Sequence, residues 1–386
     1  MENSVYIVAG ARSAIVPSGG LFKNLNYYDL AAPIIEDCLK KIGLPPNKVD
    51  ELIVSNAIGG GGNPARLVAL ASGLPQSLAG LSIDRQCVGG LDSLLVGKAL
   101  IHSGQAQVVI AGGTESHSLR PKRYYKSIGE KKYIHKNQAP FLPSFYNDPL
   151  MEVAAAELAN QYNISKLEQH EWAIESHVKA MKAKDEWSKE IVMIPEVPIL
   201  HDPFTRSLTM ETCQRSKVLS DSVSTASTSV AADGAAFVVL VSEKILNTLS
   251  INQALRIIDG KTSGGNPELP GLAPIAVSDF LLKKNHLSSL DLDVIELMEA
   301  FAAQAIVCAK ELKLPKDRIN LSGGSLSRGH PIGASGAVLA VRILNELKND
   351  RKYGLATIAG AGGIATGILF ENITFNNLFT KKKSKR

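Results

Sequence analysis

A cysteine stands in the run Ile83-Asp84-Arg85-Gln86-Cys87-Val88-Gly89-Gly90-Leu91-Asp92, with two glycines close behind it and a helix-like stretch beyond. At a helix start the first backbone N–H groups have no partner inside the helix, and the positive end of the helix dipole lies beside them. Both features favour the thiolate, the nucleophilic form of cysteine. The chemistry this suggests is covalent: a sulfur that attacks an electrophilic carbon and holds it until an acceptor arrives. Such a sulfur needs a base, and the matching imidazole is His330, in Gly329-His330-Pro331-Ile332-Gly333.

The reason to pair two residues so far apart is that the chain repeats itself. Residues 40–57 and 283–300 resemble each other without gaps, with Leu44/Leu287, Val49/Leu292, Asp50/Asp293, Leu52/Ile295 and Val54/Leu297 in register. Each copy reads as a helix end, a polar turn, an Asp and a buried strand. Further on, Cys87 leads into a helix over Leu91–Ser103 and a strand over Val108–Gly113. His330 leads into a helix over Ala334–Leu347 and a strand over Leu355–Gly360. Alternating helix and strand periods argue for α/β layers. Cys87 and His330 therefore occupy equivalent positions, each just past a strand and at a helix start, where open α/β sheets place ligands. A pseudo-twofold axis would bring the two helix starts together.

Bulk properties bound the alternatives. The chain has 386 residues, is 45% hydrophobic and 20% charged, and carries no apolar run of the ~20 residues a bilayer requires. The N-terminus reads as a strand rather than a signal peptide. The four cysteines (Cys38, Cys87, Cys213, Cys308) form no CxxC pair, which argues against zinc and a disulfide framework and fits a reducing cytoplasm. Cys38 and Cys308 fall in apolar helical patterns; Cys213 lies in a polar stretch without a partner. Of the net charge of +5, five positive charges lie in Lys381–Arg386, so the body is near neutral and the tail reads as a solvated end. With 5% aromatics there is no stacking platform for nucleic acid. The histidines other than His330 are scattered singly. Gly59–Gly62 lacks the Lys and Ser/Thr of a P-loop and reads as a close-approach loop near Cys87. The polar stretch from Glu115 to Pro203 carries a basic, tyrosine-containing loop (Arg120–Lys126, Lys131, Lys132) suited to a phosphate-bearing carrier, then helices over Met151–Tyr162 and Lys166–Lys184.

With these residues in place, the chain resembles the thiolase family over nearly its whole length, from Val5 to about Asn372. Gly329-His330-Pro331-Ile332-Gly333-Ala334-Ser335-Gly336 is similar to the family's GHPxGxSG block, and Asp84-Arg85-Gln86-Cys87 to its nucleophile block. Glu299-Ala300-Phe301 is similar to most of NEAF, and Asp233-Gly234-Ala235-Ala236 to the DGAA strand. The resemblance implies a duplicated five-layered α-β-α-β-α fold with pseudo-twofold symmetry. It implies an acetyl-CoA C-acyltransferase of lipid metabolism that uses a CoA thioester as substrate and no cofactor. It also implies a homodimer or tetramer, while composition and hydropathy lead us to expect no nucleic-acid or membrane partner.

Carried over residue by residue, the resemblance makes Cys87 the nucleophile and His330 its base. The acyl oxygen would be held by the backbone N–H groups of Cys87 and Ala361, and Glu299 would orient His330 or polarise a water. Ser229, Met151, Ala300 and Phe301 would line the substrate site. The departures fall on the second step. The cysteine of the family's CxGxG run is Ala359 here, and the Asn of NEAF is Met298, so proton transfer to and from a second acyl-CoA loses its usual base. Val88 and Gly90 stand where the family usually has Gly and Ser and are expected to reshape the acyl pocket. Three functions follow: thiolase-type acyl transfer; an acyl-enzyme that passes its acyl group to water or another acceptor; and a non-catalytic scaffold that binds CoA or a partner. The expected organisation is an N-terminal half (1–116 and 204–245), a lid region (117–203), a C-terminal half (246–375) and a basic tail (376–386).

Overall fold

Asp50 and Asp293 make the same contacts in two places. Asp50 Oδ2 accepts the N–H groups of Gln107 and Val108 at 2.7 and 2.9 Å, and Asp293 Oδ2 those of Lys352 and Tyr353 at 2.7 and 3.1 Å. In each case a carboxylate at the end of a turn satisfies the first donors of a neighbouring strand, which buried backbone requires. The repeat read in the sequence is thus a repeat of hydrogen bonds. The computed structural model from which these contacts come describes residues 4–126, 129, 132–136 and 138–375. The expected basic tail, 376–386, and Lys131 lie outside the described residues.

The first half comprises β1 (Val5–Arg12), β2 (Val16–Pro17), α1 (Tyr27–Ile42), β3 (Glu51–Ser55), α2 (Pro64–Ala71), β4 (Leu81–Ile83), α3 (Gly89–His102) and β5 (Val108–Glu115). An inserted stretch follows: β6 (Arg123–Lys126), β7 (Tyr133–Lys136), α4 (Met151–Gln161), α5 (Lys166–Lys182), α6 (Met210–Gln214), β8 (Val218–Ser220) and β9 (Val223–Ser224). β10 (Ala232–Ser242) and α7 (Glu243–Leu246) return to the first half. The second half has β11 (Gln253–Gly264), α8 (Ala273–Lys284), β12 (Val294–Leu297), α9 (Ala302–Glu311), α10 (Ser325–Arg328), α11 (Ile332–Glu346), β13 (Tyr353–Gly360) and β14 (Ile364–Thr374). The basic segment expected as loop folds into an antiparallel hairpin, with Arg123 opposite Lys136 and Lys126 opposite Tyr133.

Strand order repeats. The first half runs β3-β5-β10-β1 and the second β12-β13-β14-β11, each with one parallel pair followed by two antiparallel pairs. β4 adds parallel to β3, and its counterpart shrinks to a single parallel bridge between Ile295 and Ile319. The half-sheets meet edge to edge through β1 and β11, in the pairs Tyr6–Arg256 and Ile7–Leu255. α1 covers the outer face of the first half-sheet and α8 that of the second, while α3 and α11 pack against each other and on strands of both halves. The result is the five-layered α-β-α-β-α arrangement expected. Burial follows from it: Gly333 through Ile343 are all buried on α11, the signature of a helix enclosed on every side.

Two glycines set how closely the middle helices approach. A Cβ on Gly90 would lie 2.5 Å from the Ala337 nitrogen, and a Cβ on Gly336 would lie 2.4 Å from the Leu91 nitrogen. The helices therefore touch backbone to backbone near their N-terminal ends. Gly90 is committed to this crossing, so it does not shape an acyl pocket as expected. Val88 is fully buried in the central core cluster that also holds Leu91, Met298 and Ile358, with its Cγ1 3.1 Å from where a Cβ on Gly360 would lie. The close-approach expectation for Gly59–Gly62 holds in part. A Cβ at Gly60, Gly61 or Gly62 would meet nothing within 4 Å, and Gly61 and Gly62 have φ of 82° and 76°. Gly61 and Gly62 turn the chain, whereas Gly59 does admit a close neighbour: a Cβ there would lie 2.0 Å from Asn56 Oδ1.

Candidate active site

Cys87 and His330 each lie two residues before a middle helix, α3 and α11. Cys87 sits in a single 3-10 turn, Gln86–Val88, entered through Gln86 with φ of 51°. That left-handed conformation is uncommon for a residue with a side chain and marks a sharp turn into the helix. The His330 backbone is clamped to the segment before β10, with His330 N–H donating to Val230 O at 2.7 Å and Ala232 N–H to His330 O at 3.3 Å. Across 243 positions of sequence, His330 Nε2 lies 3.2 Å from Cys87 Sγ. The imidazole's other nitrogen, Nδ1, lies 2.6 Å from Ser335 Oγ.

The electrostatics differ from those expected of a helix start. Burial pushes the Cys87 thiol up to about 12, although the backbone N–H groups of Cys87 and Ala361 point at the sulfur and favour its thiolate; the Glu115 and Asp84 carboxylates add to the rise. Burial and the neighbouring His117 lower His330 to about 4. Both shifts favour the neutral thiol and the neutral imidazole. Desolvation disfavours both charged forms, and here it outweighs the helix dipole.

Glu115 was not singled out in the sequence. It ends β5, fully buried, and accepts the N–H groups of Ala57 at 3.0 Å, Ile58 at 3.3 Å and Gly333 at 2.9 Å, with Asn56 Nδ2 at 2.9 Å. It ties the start of α11 to the loop after β3. Burial raises it to about 7 despite these donors.

Glu299, expected as catalytic support, is engaged elsewhere. Trp172 Nε1 at 3.0 Å and Asn320 Nδ2 at 2.8 Å donate to its Oε1, and Ser176 Oγ at 2.8 Å and Leu326 N–H at 3.3 Å to its Oε2. Each carboxylate oxygen thus accepts two hydrogen bonds, and His330 Nδ1 lies against Ser335 Oγ rather than Glu299. It braces the Met298–Phe301 loop against α5. Met298 itself is 2% exposed, part of the core.

The expected substrate-lining residues form one wall. Ser229 N–H donates to Ala300 O at 3.0 Å and its hydroxyl to Glu299 O. Thr228 bridges Phe301, and Met151 and Ala300 pack on the apolar cluster that contains Phe301. Because the Ser229 hydroxyl already donates, it has only acceptor capacity left for a ligand. Ala361 stands just past β13, its N–H on the Cys87 sulfur. Ala359 is half-buried at the end of the same strand, opposite Ala365, and its methyl group moves no proton.

Two cations stand near this wall. A groove of about 580 Å³ reaches Thr228, Ser229 and Val230 and is lined by Arg206, Arg215 and Phe204. The Arg206 guanidinium lies 4.2 Å from the Phe204 ring centroid. Arg206 and Ser335 carried no sequence signal beyond the stretches that contain them. Cys213, left unassigned, is buried. Among the described residues no group of three or more His, Cys, Asp or Glu is placed to hold a metal ion, and no helix is long and apolar enough to cross a membrane.

Comparison with known proteins agrees with this architecture. Residues 5–244 match the family description "Thiolase, N-terminal domain" and residues 251–372 "Thiolase, C-terminal domain". The chain belongs to the thiolase family. Bacillus subtilis (strain 168) YhfS, a protein named for acetyl-CoA C-acetyltransferase activity, is 37% identical over 374 residues, 95% of this chain and 98% of its own. A Staphylococcus aureus (strain COL) protein named for acetyl-CoA acyltransferase activity is 34% identical over 382 residues, 94% of this thiolase and 97% of its own length. The crystal structure of the Bacillus anthracis acetyl-CoA acetyltransferase superposes with a TM-score of 0.90 at 31% identity, covering 96% of this chain and 99% of that one. Human mitochondrial 3-ketoacyl-CoA thiolase in complex with CoA gives 0.89 at 27%, covering 96% and 98%. Acyl transfer is therefore the class of reaction to which this thiolase's site belongs.

Proposed function

We propose that this thiolase takes an acyl group from a CoA thioester onto Cys87 and passes it on from there. The observation that carries the proposal is the 3.2 Å approach of His330 Nε2 to Cys87 Sγ. As the sulfur attacks the thioester carbonyl, Nε2 takes the thiol proton. The developing oxyanion receives the N–H groups of Cys87 and Ala361; one such donor is typically worth ~10²–10³ in rate. The bond from the carbonyl carbon to the CoA sulfur then breaks, and the imidazolium returns the proton to departing CoA. The groove lined by Arg206 and Arg215 supplies cations for the carrier's phosphates, and the wall of Met151, Ser229, Ala300 and Phe301 takes the pantetheine and acyl portion. No cofactor is needed.

Ala359 and Met298 make the second step weaker than the first. Neither side chain exchanges a proton, so Claisen condensation and thiolysis proceed slowly by this reading. The same substitution favours a second reading, in which the acyl-enzyme gives its group to water or to another acceptor. The free outer edge of β4, with Leu81 40% exposed, suits pairing with a second copy in a homodimer. The free cysteines suit a reducing, cytoplasmic setting.

Incubation with acetyl-CoA followed by intact-mass measurement tests the proposal. The expected result is an acetyl adduct in the wild type and none in Cys87→Ala. A wild type that carries no adduct overturns it.

A further inference from the structure

We propose that Ser335 is the positioning residue that locks His330 in the tautomer able to accept the Cys87 proton. The inference rests on the proposed role of the Cys87–His330 pair and concerns what sets its direction.

A thiol at Cys87 carries a hydrogen that needs an acceptor. The backbone groups directed at the sulfur, Cys87 N–H and Ala361 N–H, are donors. Nε2 of His330, 3.2 Å away, is the acceptor in reach. A neutral imidazole has one donor and one acceptor nitrogen, so an accepting Nε2 places the hydrogen on Nδ1. From the other end, Ser335 Oγ lies 3.0 Å from Pro331 O, a carbonyl that can only accept. The single hydroxyl hydrogen of Ser335 is spent there. At 2.6 Å from Nδ1, its oxygen must therefore accept the Nδ1 hydrogen. Both routes give the same tautomer, reached without a carboxylate.

Ser335 is 3% exposed and lies in the first turn of α11. It belongs to the same helix start that delivers His330, so the two residues keep their relation however the rest of the cleft adjusts. A hydroxyl also differs from the carboxylate partner of a catalytic triad: it orients the imidazole but stabilises the imidazolium only as a dipole. The pair thus stays neutral at rest and transfers its proton as the bond to sulfur's new carbon forms.

The test reads the tautomer and the chemistry separately. Imidazole ¹⁵N spectra of labelled wild type, with the His330 signals assigned by difference from His330→Asn, are expected to show an unprotonated Nε2 and a protonated Nδ1. Ser335→Ala is expected to give averaged nitrogens and a single-turnover acylation by acetyl-CoA slowed by at least ~10-fold, as expected when a catalytic histidine loses its tautomer. Its KM should be unchanged. Ser335→Thr, which keeps the hydroxyl, should restore both the spectrum and most of the rate. An unchanged His330 spectrum in Ser335→Ala, or a Thr variant as slow as Ala, overturns the inference. A wild type with the expected spectrum but no acylation overturns the proposed function and leaves the tautomer assignment standing.

Discussion

Gly90 and Gly336 meet backbone to backbone where the two middle helices cross, and a Cβ on either would fall within 2.5 Å of a main-chain nitrogen of the other helix. Real Cβ atoms do not approach backbone so closely, so a methyl group here must push α3 and α11 apart. The crossing lies three residues past Cys87 and six past His330. It therefore sets the distance between the thiol and the imidazole.

Gly336→Ala is expected to destabilise the protein by ~1–3 kcal/mol, the usual range for an added methyl in a packed core. It should also slow acylation of Cys87 by ~10²-fold, because displacements near 1 Å are costly for aligned groups. A melting curve and a single-turnover acylation measurement check both. A stable variant that acylates normally would show that the crossing does not set the pair's geometry.

The neutral resting pair has a pH signature. Burial holds the folded thiol near 12, against 9.0 for the unperturbed group. Iodoacetamide alkylation of Cys87 should therefore be slow from pH 6 to 8 and climb above pH 9. A preformed ion pair would instead give a plateau by pH 7. The stability terms run in opposite directions. His330, lowered from 6.5 to about 4, releases a proton on folding; its contribution is complete above 6.5 and is lost as pH falls toward 4. Cys87 retains its proton on folding; its contribution is complete below 9 and is lost as pH rises toward 12.

Ala359→Cys places a thiol where the second step lacks a base. A positioned base contributes ~10²–10⁴ in rate, so acetoacetyl-CoA thiolysis and the reverse condensation should rise by at least ~10-fold. First-step acylation should be unchanged. Wild-type thiolysis already as fast as that of the variant would remove Ala359 as the limit and direct attention to Met298.

Glu299→Gln separates bracing from catalysis. The carboxylate accepts four donors, and an amide nitrogen in place of one oxygen leaves two of them facing another donor. A loss of ~2–5 kcal/mol is expected, as for buried polar groups left unpaired, read as a lower denaturant midpoint. The folded variant should acylate within about threefold of wild type. Acylation lost at full stability would return Glu299 to the chemistry.

The repeat, the alternation of helix and strand and the equivalent positions of Cys87 and His330 were legible in the chain because each rests on short-range information, while the five-layer order came from the family resemblance. Strand and helix periods, the Asp of each polar turn and the glycines at helix starts are local, and duplication turns two local patterns into one spatial relation. Residue identity likewise shows that Ala359 and Met298 carry no exchangeable proton. Other features depend on what packs around a side chain. Glu299 becomes a brace only because Trp172 and Ser176, 127 and 123 positions away, come to its oxygens. The thiolate that a helix start favours is opposed at Cys87 because partial burial between the two half-sheets disfavours charge there. Ser335 acquires its role only once His330 has been turned toward the sulfur. The sequence by itself determined which groups could react and that the fold would bring them together. The tertiary structure decided their charge, tautomer and partners, because desolvation and hydrogen-bond geometry are properties of the packed neighbourhood and not of the residues that enter it.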